Sequence, residues 1–207
     1  MTVTRPATNA YDSARYALAN RWDPSHLRRI DELVDLGPSD SVLEVGCGVG
    51  HLTKRLALRG IDVTGVDANP NASELADTHR VLAMHAEDLE FPDATFDAVL
   101  SVHALEHIPP LERALSEIAR VLKFGGTAVF IYPAEPIRGL YAIPTSVILH
   151  GTPFRAREVH CHKLWPTKMQ GLMEPLGMTE AHREFTLLRS PQYVSVFQKV
   201  PGPTRVA

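Results

Sequence analysis

The chain has 207 residues, 44% apolar and 22% charged, the balance of a globular domain large enough to bury a proper core. A formal charge of −3 leaves no nucleic-acid footprint, so no nucleic-acid partner is expected. Two cysteines, Cys47 and Cys161, make no disulfide framework, which excludes small stapled scaffolds and sets the expectation of a reducing, cytoplasmic location.

The first residues, Met1 to Thr8, are expected to pack loosely, and they lack the apolar core of a signal peptide. Asn9 to Asn20, with Tyr11, Tyr16 and Leu18, reads as an aromatic-bearing helix. Asp23-Pro24 is a start signal, a cap followed by proline at the first helical position. The helix it opens carries Leu27, Ile30, Leu33, Val34 and Leu36, and Gly37-Pro38 should stop it.

The stretch that decides the reading is Ser41 to Asp67, SVLEVGCGVGHLTKRLALRGIDVTGVD. Val42, Leu43 and Val45, with Glu44 among them, read as a buried strand. The chain then turns through Gly46, Gly48 and Gly50, residues that tolerate positive φ and let a ligand approach the backbone. Leu52, Leu56 and Leu58 follow at roughly helical spacing, so the glycines feed a helix whose first N–H groups are free. Gly60 ends that helix, and Ile61 to Val66 form a second strand with Asp67 at its end. Asp67 lies 21 positions beyond Gly46, the spacing of a ribose-binding carboxylate in a βαβ unit.

The ligand follows from charge. His51 occupies the third glycine position of a dinucleotide fingerprint, and no Lys or Arg appears between Ser41 and Gly50. A pyrophosphate would meet the Glu44 carboxylate with only the helix dipole to compensate. S-adenosylmethionine (SAM) carries a sulfonium, an ammonium and one carboxylate, and its ammonium accepts an acidic neighbour. VLEVGCGVG followed by GVDANP resembles the class I SAM-dependent methyltransferases, in their small-molecule, type 11-like branch, from about Ser41 to Phe130. The resemblance implies an α/β fold: a Rossmann-like, doubly wound, mostly parallel seven-stranded sheet with a C-terminal antiparallel hairpin and helices on both faces. It implies SAM as cofactor, bound around Glu44, Gly46, Cys47, Gly48, Gly50, Asp67 and Ala68. It also makes Tyr11 a candidate lid residue over the pocket, the alternative being an aromatic anchor packed on the core.

Beyond Asp67, Asn69-Pro70 marks a turn, Ala72 to Thr78 a short helix and Arg80 to Met84 a third strand. Family members commonly place an acid or amide, in contact with adenine, where this chain has His85. The candidates for that contact here are His85, the backbone of Ala86 and the carboxylates of Glu87 and Asp88. Phe96 to Ser101 resembles the family's fourth strand, which adds Ser101 to the cofactor set. Ligands of open α/β sheets bind at the carboxyl ends of the strands, so His103 falls where the reactive sulfonium should lie. Pro109-Pro110 begins a helix with Leu111, Leu115, Ile118, Ala119 and Leu122 on one face, ending at Gly125-Gly126, and Thr127 to Tyr132 is a fifth strand.

The match weakens from Ala134 onwards. Ala134 to Val159 is apolar and broken by Pro136, Pro144, Gly151 and Pro153, and residues 134–162 resemble the variable substrate cover of small-molecule methyltransferases. Two internal prolines and few basic residues argue against a membrane-surface helix, so no stable membrane insertion is expected. Lys163 to Leu176 reads as an amphipathic helix stopped by Gly177. Met178 to Leu188 and Gln192 to Val200 alternate like a terminal hairpin. The whole is expected as one domain over residues 1–207, with residues 1–36 as an N-terminal helical cover.

Methyl transfer needs alignment, exclusion of water and, for some acceptors, a base, for which histidine is suited near neutral pH. His103 and His107 are the catalytic candidates, the second within Glu106-His107-Ile108, a frequent family pattern. A structural, hydrogen-bonded histidine at a helix start is the alternative for His107. Tyr11, Tyr141, His160 and His162 are the acceptor-binding candidates. His150, His160, Cys161 and His162 invite a metal reading, but adjacent ligands lack the usual zinc spacing and no metal is expected. The expected partner is a small, partly apolar methyl acceptor, with a homodimer left open. A peptide or carrier-bound acceptor, or SAM binding without turnover, are the rival functions.

Overall fold

The computed structural model describes Ala14 and residues 23–78, 80–187 and 190–200. Tyr11, most of the expected first helix and the tail from residue 201 lie outside the described residues. Helix α1 spans Pro24–Leu33, opened by the Asp23 carboxylate, which accepts from the Ser25 N–H at 2.9 Å. It ends before Gly37 because Val34 turns extended, and Leu36 enters the core from the connecting segment.

Seven strands form one sheet: β1 Ser41–Val45, β2 Asp62–Asp67, β3 Val81–Ala83, β4 Phe96–Val102, β5 Leu122–Pro133, β6 Met178–Thr186 and β7 Gln192–Lys199. Their spatial order is β3-β2-β1-β4-β5-β7-β6. The five on the β3 side run parallel, and β7 pairs antiparallel with both β5 and β6. The expected mixed seven-stranded sheet with its terminal hairpin is what the chain forms. The order reverses between β1 and β4, and such a switch point opens a crevice at the carboxyl ends of the strands.

Alternation along β1 sends Val42 to one face and Leu43 and Val45 to the other. The Val42 face takes α1 through Ile30 and helix α2, His51–Leu58, through Leu52 and Leu56. The Leu43 face takes helix α4, Leu111–Val121, through Leu111, Leu115 and Ile118, and helix α7, Pro166–Met173, through Met169 and Met173. Helix α3, Pro70–Leu75, starts two residues earlier than expected, because the Asn69 side chain accepts from Asn71 N–H with Pro70 at the first helical position.

Two boundaries differ for tertiary reasons. Leu122 begins β5 rather than ending α4, pairing with Phe96 before the ladder slips to Ala98–Thr127. Helix α7 starts at Pro166 rather than Lys163, since Trp165 is extended. It closes through a 3₁₀ turn at Glu174–Leu176 with Gly177 left-handed, as expected. Between β5 and α7 run helix α5, Ile143–His150, and the short α6, Ala156–Val159. Among the described residues no helix is long and apolar enough to cross a membrane.

Candidate active site

The loop between β1 and α2 is built on three left-handed glycines, Gly46, Gly48 and Gly50. The N–H of Gly46 and of Cys47 both donate to the Val66 carbonyl, at 2.8 and 3.1 Å, which lays the loop across the end of β2. There Asp67 closes the arrangement: Oδ2 accepts from Gly48 N–H at 2.8 Å and Oδ1 from Asn69 N–H at 2.9 Å. Burial raises the Asp67 carboxyl, opposed by those two N–H bonds and by nearby His85. Glu44 lies beneath the loop, buried, with Oε2 accepting from the Thr53 hydroxyl at 2.5 Å. Burial pushes its carboxyl up to about 7 despite the Thr53 bonds. Cys47 is buried in the loop and its thiol is raised by that burial.

Next to Asp67, Ala68 is exposed, and after β3 His85 and Glu87 are half-buried while Ala86 is buried. His85 Nδ1 stands 3.7 Å from Glu87 Oε1. Ser101 is buried and donates to the Val45 carbonyl at 3.0 Å, fastening β4 to β1.

The histidines gather at the end of β4. His103 is a non-glycine residue at positive φ, 51°, a conformation that costs about 1 kcal/mol and is held here by its N–H to the Ile131 carbonyl at 2.8 Å. Its Nε2 lies 2.8 Å from Gln192 Oε1, which His26 Nε2 reaches at 3.2 Å. A 3₁₀ turn over Leu105–His107 then places Glu106 inward, 1% exposed, with Oε1 3.6 Å from His103 Nδ1 and 3.9 Å from His107 Nε2. Burial favours the neutral acid, but His103, His107 and His160 outweigh it and hold Glu106 down to about 2. His107 donates from Nδ1 to the Val159 carbonyl at 2.7 Å, and burial lowers its pKa.

The segment after β5 is tied to this turn. The buried Glu135 carboxylate accepts from Gly139 N–H at 3.0 Å, Tyr141 N–H at 2.8 Å and His160 Nδ1–H at 2.9 Å. The His160 and His107 rings meet edge to face, centroids 4.8 Å apart. His162 contacts the Ile108 and Pro109 carbonyls through Nε2, at 3.0 and 3.1 Å, a bracing role rather than an open one. Tyr141 is half-buried at the start of the segment.

Residues 43–130 match the family model described as "Methyltransferase domain". A demethylmenaquinone methyltransferase of Tropheryma whipplei (strain Twist) is 30% identical over 149 residues, 68% of this chain and 62% of that protein. The chain thus spans less than two thirds of that relative's length. A ubiquinone biosynthesis O-methyltransferase of Nitrosomonas europaea is 29% identical over 171 residues, covering 77% of this chain and 72% of the relative. The fold agrees: the crystal structure of a Burkholderia thailandensis 1,6-didemethyltoxoflavin-N1-methyltransferase with bound S-adenosylhomocysteine superposes with a TM-score of 0.62 at 17% identity, over 91% of this chain and 80% of that one. Residues 43–130 carry the methyltransferase domain, and the chain is similar to the class I SAM-dependent methyltransferases in sequence and fold.

In a class I methyltransferase the glycine loop and the acid after β2 should fit SAM, and here they do by their own chemistry. A Cβ at Gly46 would stand 2.2 Å from the Ala104 Cβ, and one at Gly50 2.5 Å from a Val81 methyl, so both positions require glycine. Each Asp67 oxygen accepts one N–H and keeps lone pairs for a diol. Of the sequence-predicted set, Glu44, Gly46, Cys47, Gly48, Gly50, Asp67 and Ala68 come together at the ends of β1 and β2. His103, His107 and His160 gather at the end of β4 and the segment beyond β5. Sequence reasoning missed four residues that organise the second group: His26, Glu106, Glu135 and Gln192. Only Glu106 had a local signal, its place in the Glu-His-Ile pattern.

Proposed function

We propose that the protein transfers a methyl group from SAM to oxygen, nitrogen or carbon of a small, partly apolar metabolite. The observation that carries the reading is the bond between Gly48 N–H and Asp67, which sets a bare backbone loop beside a carboxylate with lone pairs to offer. SAM, when bound, supplies a methyl group already activated on a sulfonium. The chain's part is to hold the ribose through Asp67, to leave the glycine backbone open to close approach, and to seat the acceptor against the end of β4. His103, with its side chain 30% exposed, is the proton acceptor for a hydroxyl substrate. His107 is less suited, because its side chain is 18% exposed against 30% for His103, and burial lowers its pKa.

The acceptor wall is the segment of residues 134–162. Ile137, Leu140, Ile143, Val147 and Ile148 are exposed along it, a surface that fits an apolar acceptor. The names of the two relatives make a quinone-type ring the first acceptor to try. The test is incubation with methyl-labelled SAM and candidate metabolite extracts, with the labelled product identified by mass spectrometry. Label on a small apolar product supports the proposal. Label confined to peptides or carrier proteins moves the acceptor class, and SAM binding with no labelled product across the extracts overturns methyl transfer.

A further inference from the structure

The Glu106 carboxylate has no role in the methyl transfer described above, yet it is buried at 1% exposure and its Oε2 has no hydrogen-bond partner among the described residues. An ionised oxygen left so is costly, because burial removes water without replacing it. Three imidazoles, those of His103, His107 and His160, surround the carboxylate. The ring nitrogens of His103 and His107 stand 3.6 and 3.9 Å from its other oxygen, Oε1. One ligand atom each from Glu106, His107 and His160 lie within 4.8 Å of one another.

The His107 and His160 rings are each held in a fixed orientation. His107 donates its Nδ1–H to the Val159 carbonyl at 2.7 Å, and His160 donates its Nδ1–H to Glu135 at 2.9 Å. Each bond puts a proton on Nδ1, so in the neutral ring the lone pair is on Nε2. A metal-ligating histidine characteristically gives its other N–H to a backbone carbonyl or a carboxylate, and this pair uses one of each. We propose that Glu106, His107 and His160 form a binding site for a zinc-type divalent transition cation, which fastens the segment carrying His160 to the end of β4.

Two imidazoles and a carboxylate select such a metal over magnesium or calcium, which take oxygen ligands. Three protein ligands leave a position for water or an acceptor oxygen. Donors of a tetrahedral zinc site stand about 3.4 Å apart, so the set, now within 4.8 Å, closes by at most about 1.4 Å on binding. His160, carried on a segment that Glu135 anchors, supplies that closure.

The test uses the full chain after chelator treatment, titrated with zinc alone, then with magnesium alone. One equivalent of zinc should bind, and cobalt(II) in its place should show the visible bands of a four- or five-coordinate site. Glu106→Gln and His160→Ala should each weaken zinc by roughly 100-fold or more, and Glu135→Gln, acting only through His160, by about 10–100-fold. Zinc should also slow hydrogen exchange across residues 135–160. Circular dichroism verifies that each variant folds, and Glu135→Gln keeps the test alive should a ligand variant fail. Zinc uptake no greater than in buffer, equal affinity in all three variants, or binding of magnesium in preference to zinc would overturn the proposal.

Discussion

Two carboxylates beneath the glycine loop have opposite consequences. Asp67 holds Gly48 and Asn69 and is the proposed ribose ligand, so Asp67→Ala should weaken SAM by about 1–3 kcal/mol, roughly 5- to 150-fold, in calorimetry. Unchanged affinity would remove Asp67 from the binding site. Glu44 acts on stability instead. Its folded pKa, about 7, stands above the ordinary 4.5, so the folded state binds more protons than the unfolded one between those values. Stability should therefore fall as pH rises from 4.5 towards 7 and then level, by about 3 kcal/mol at most from this group. Glu44→Gln keeps an acceptor for Thr53 without the charge, and its stability should be flatter over that window. Denaturant melts of both proteins from pH 5 to 8, without ligand, decide it: parallel curves would mean that Glu44 stays comfortably ionised when buried.

At the scale of elements, the segment of residues 134–162 behaves as a panel hung from Glu135. Its carboxylate gathers Gly139, Tyr141 and His160, while Val147 and Ile148 on α5 are exposed and support no core. Val147→Ser with Ile148→Ser should leave thermal stability within about 0.5 kcal/mol for each site and SAM affinity unchanged. The KM for an apolar acceptor should rise several-fold. An unaltered KM and acceptor range would place the acceptor elsewhere. The elements legible in the sequence were those with local causes: the glycine turn, the acid 21 residues on, the stop at Gly177, and the alternation of β6 and β7. Illegible were effects whose partner is remote. Leu122 has the spacing of a helix residue and becomes strand because Phe96 offers it a ladder position. Glu135 meets His160 across 25 residues, and His26 meets Gln192 across 166, separations at which no periodicity speaks.

The molecule as a whole divides its sheet between two tasks. The β1–β2 side presents the loop and Asp67, whereas the β4–β5–β7 side presents His103 and the segment beyond β5. Gln192, the first residue of β7 and fully buried, joins that second half together: its Oε1 meets His26 of α1 and His103 at the end of β4. Gln192→Leu keeps much of the volume but takes this partner from both rings. Losing the bond frees His103 to turn from its held orientation, and a displacement on the order of 1 Å at a reacting group costs up to about 100-fold in rate. The maximal rate should fall about 10- to 100-fold while SAM affinity stays unchanged, because Asp67 is held by Gly48 and Asn69 and the loop by the Val66 carbonyl. The pH–rate profile should move as well, since the bond to Gln192 constrains which nitrogen of His103 bears the proton. Steady-state kinetics across pH, alongside calorimetry with SAM, separates the outcomes. A parallel loss of rate and SAM affinity would mean that the two halves of the sheet are mechanically one, and an unchanged rate and profile would remove His103 from proton transfer.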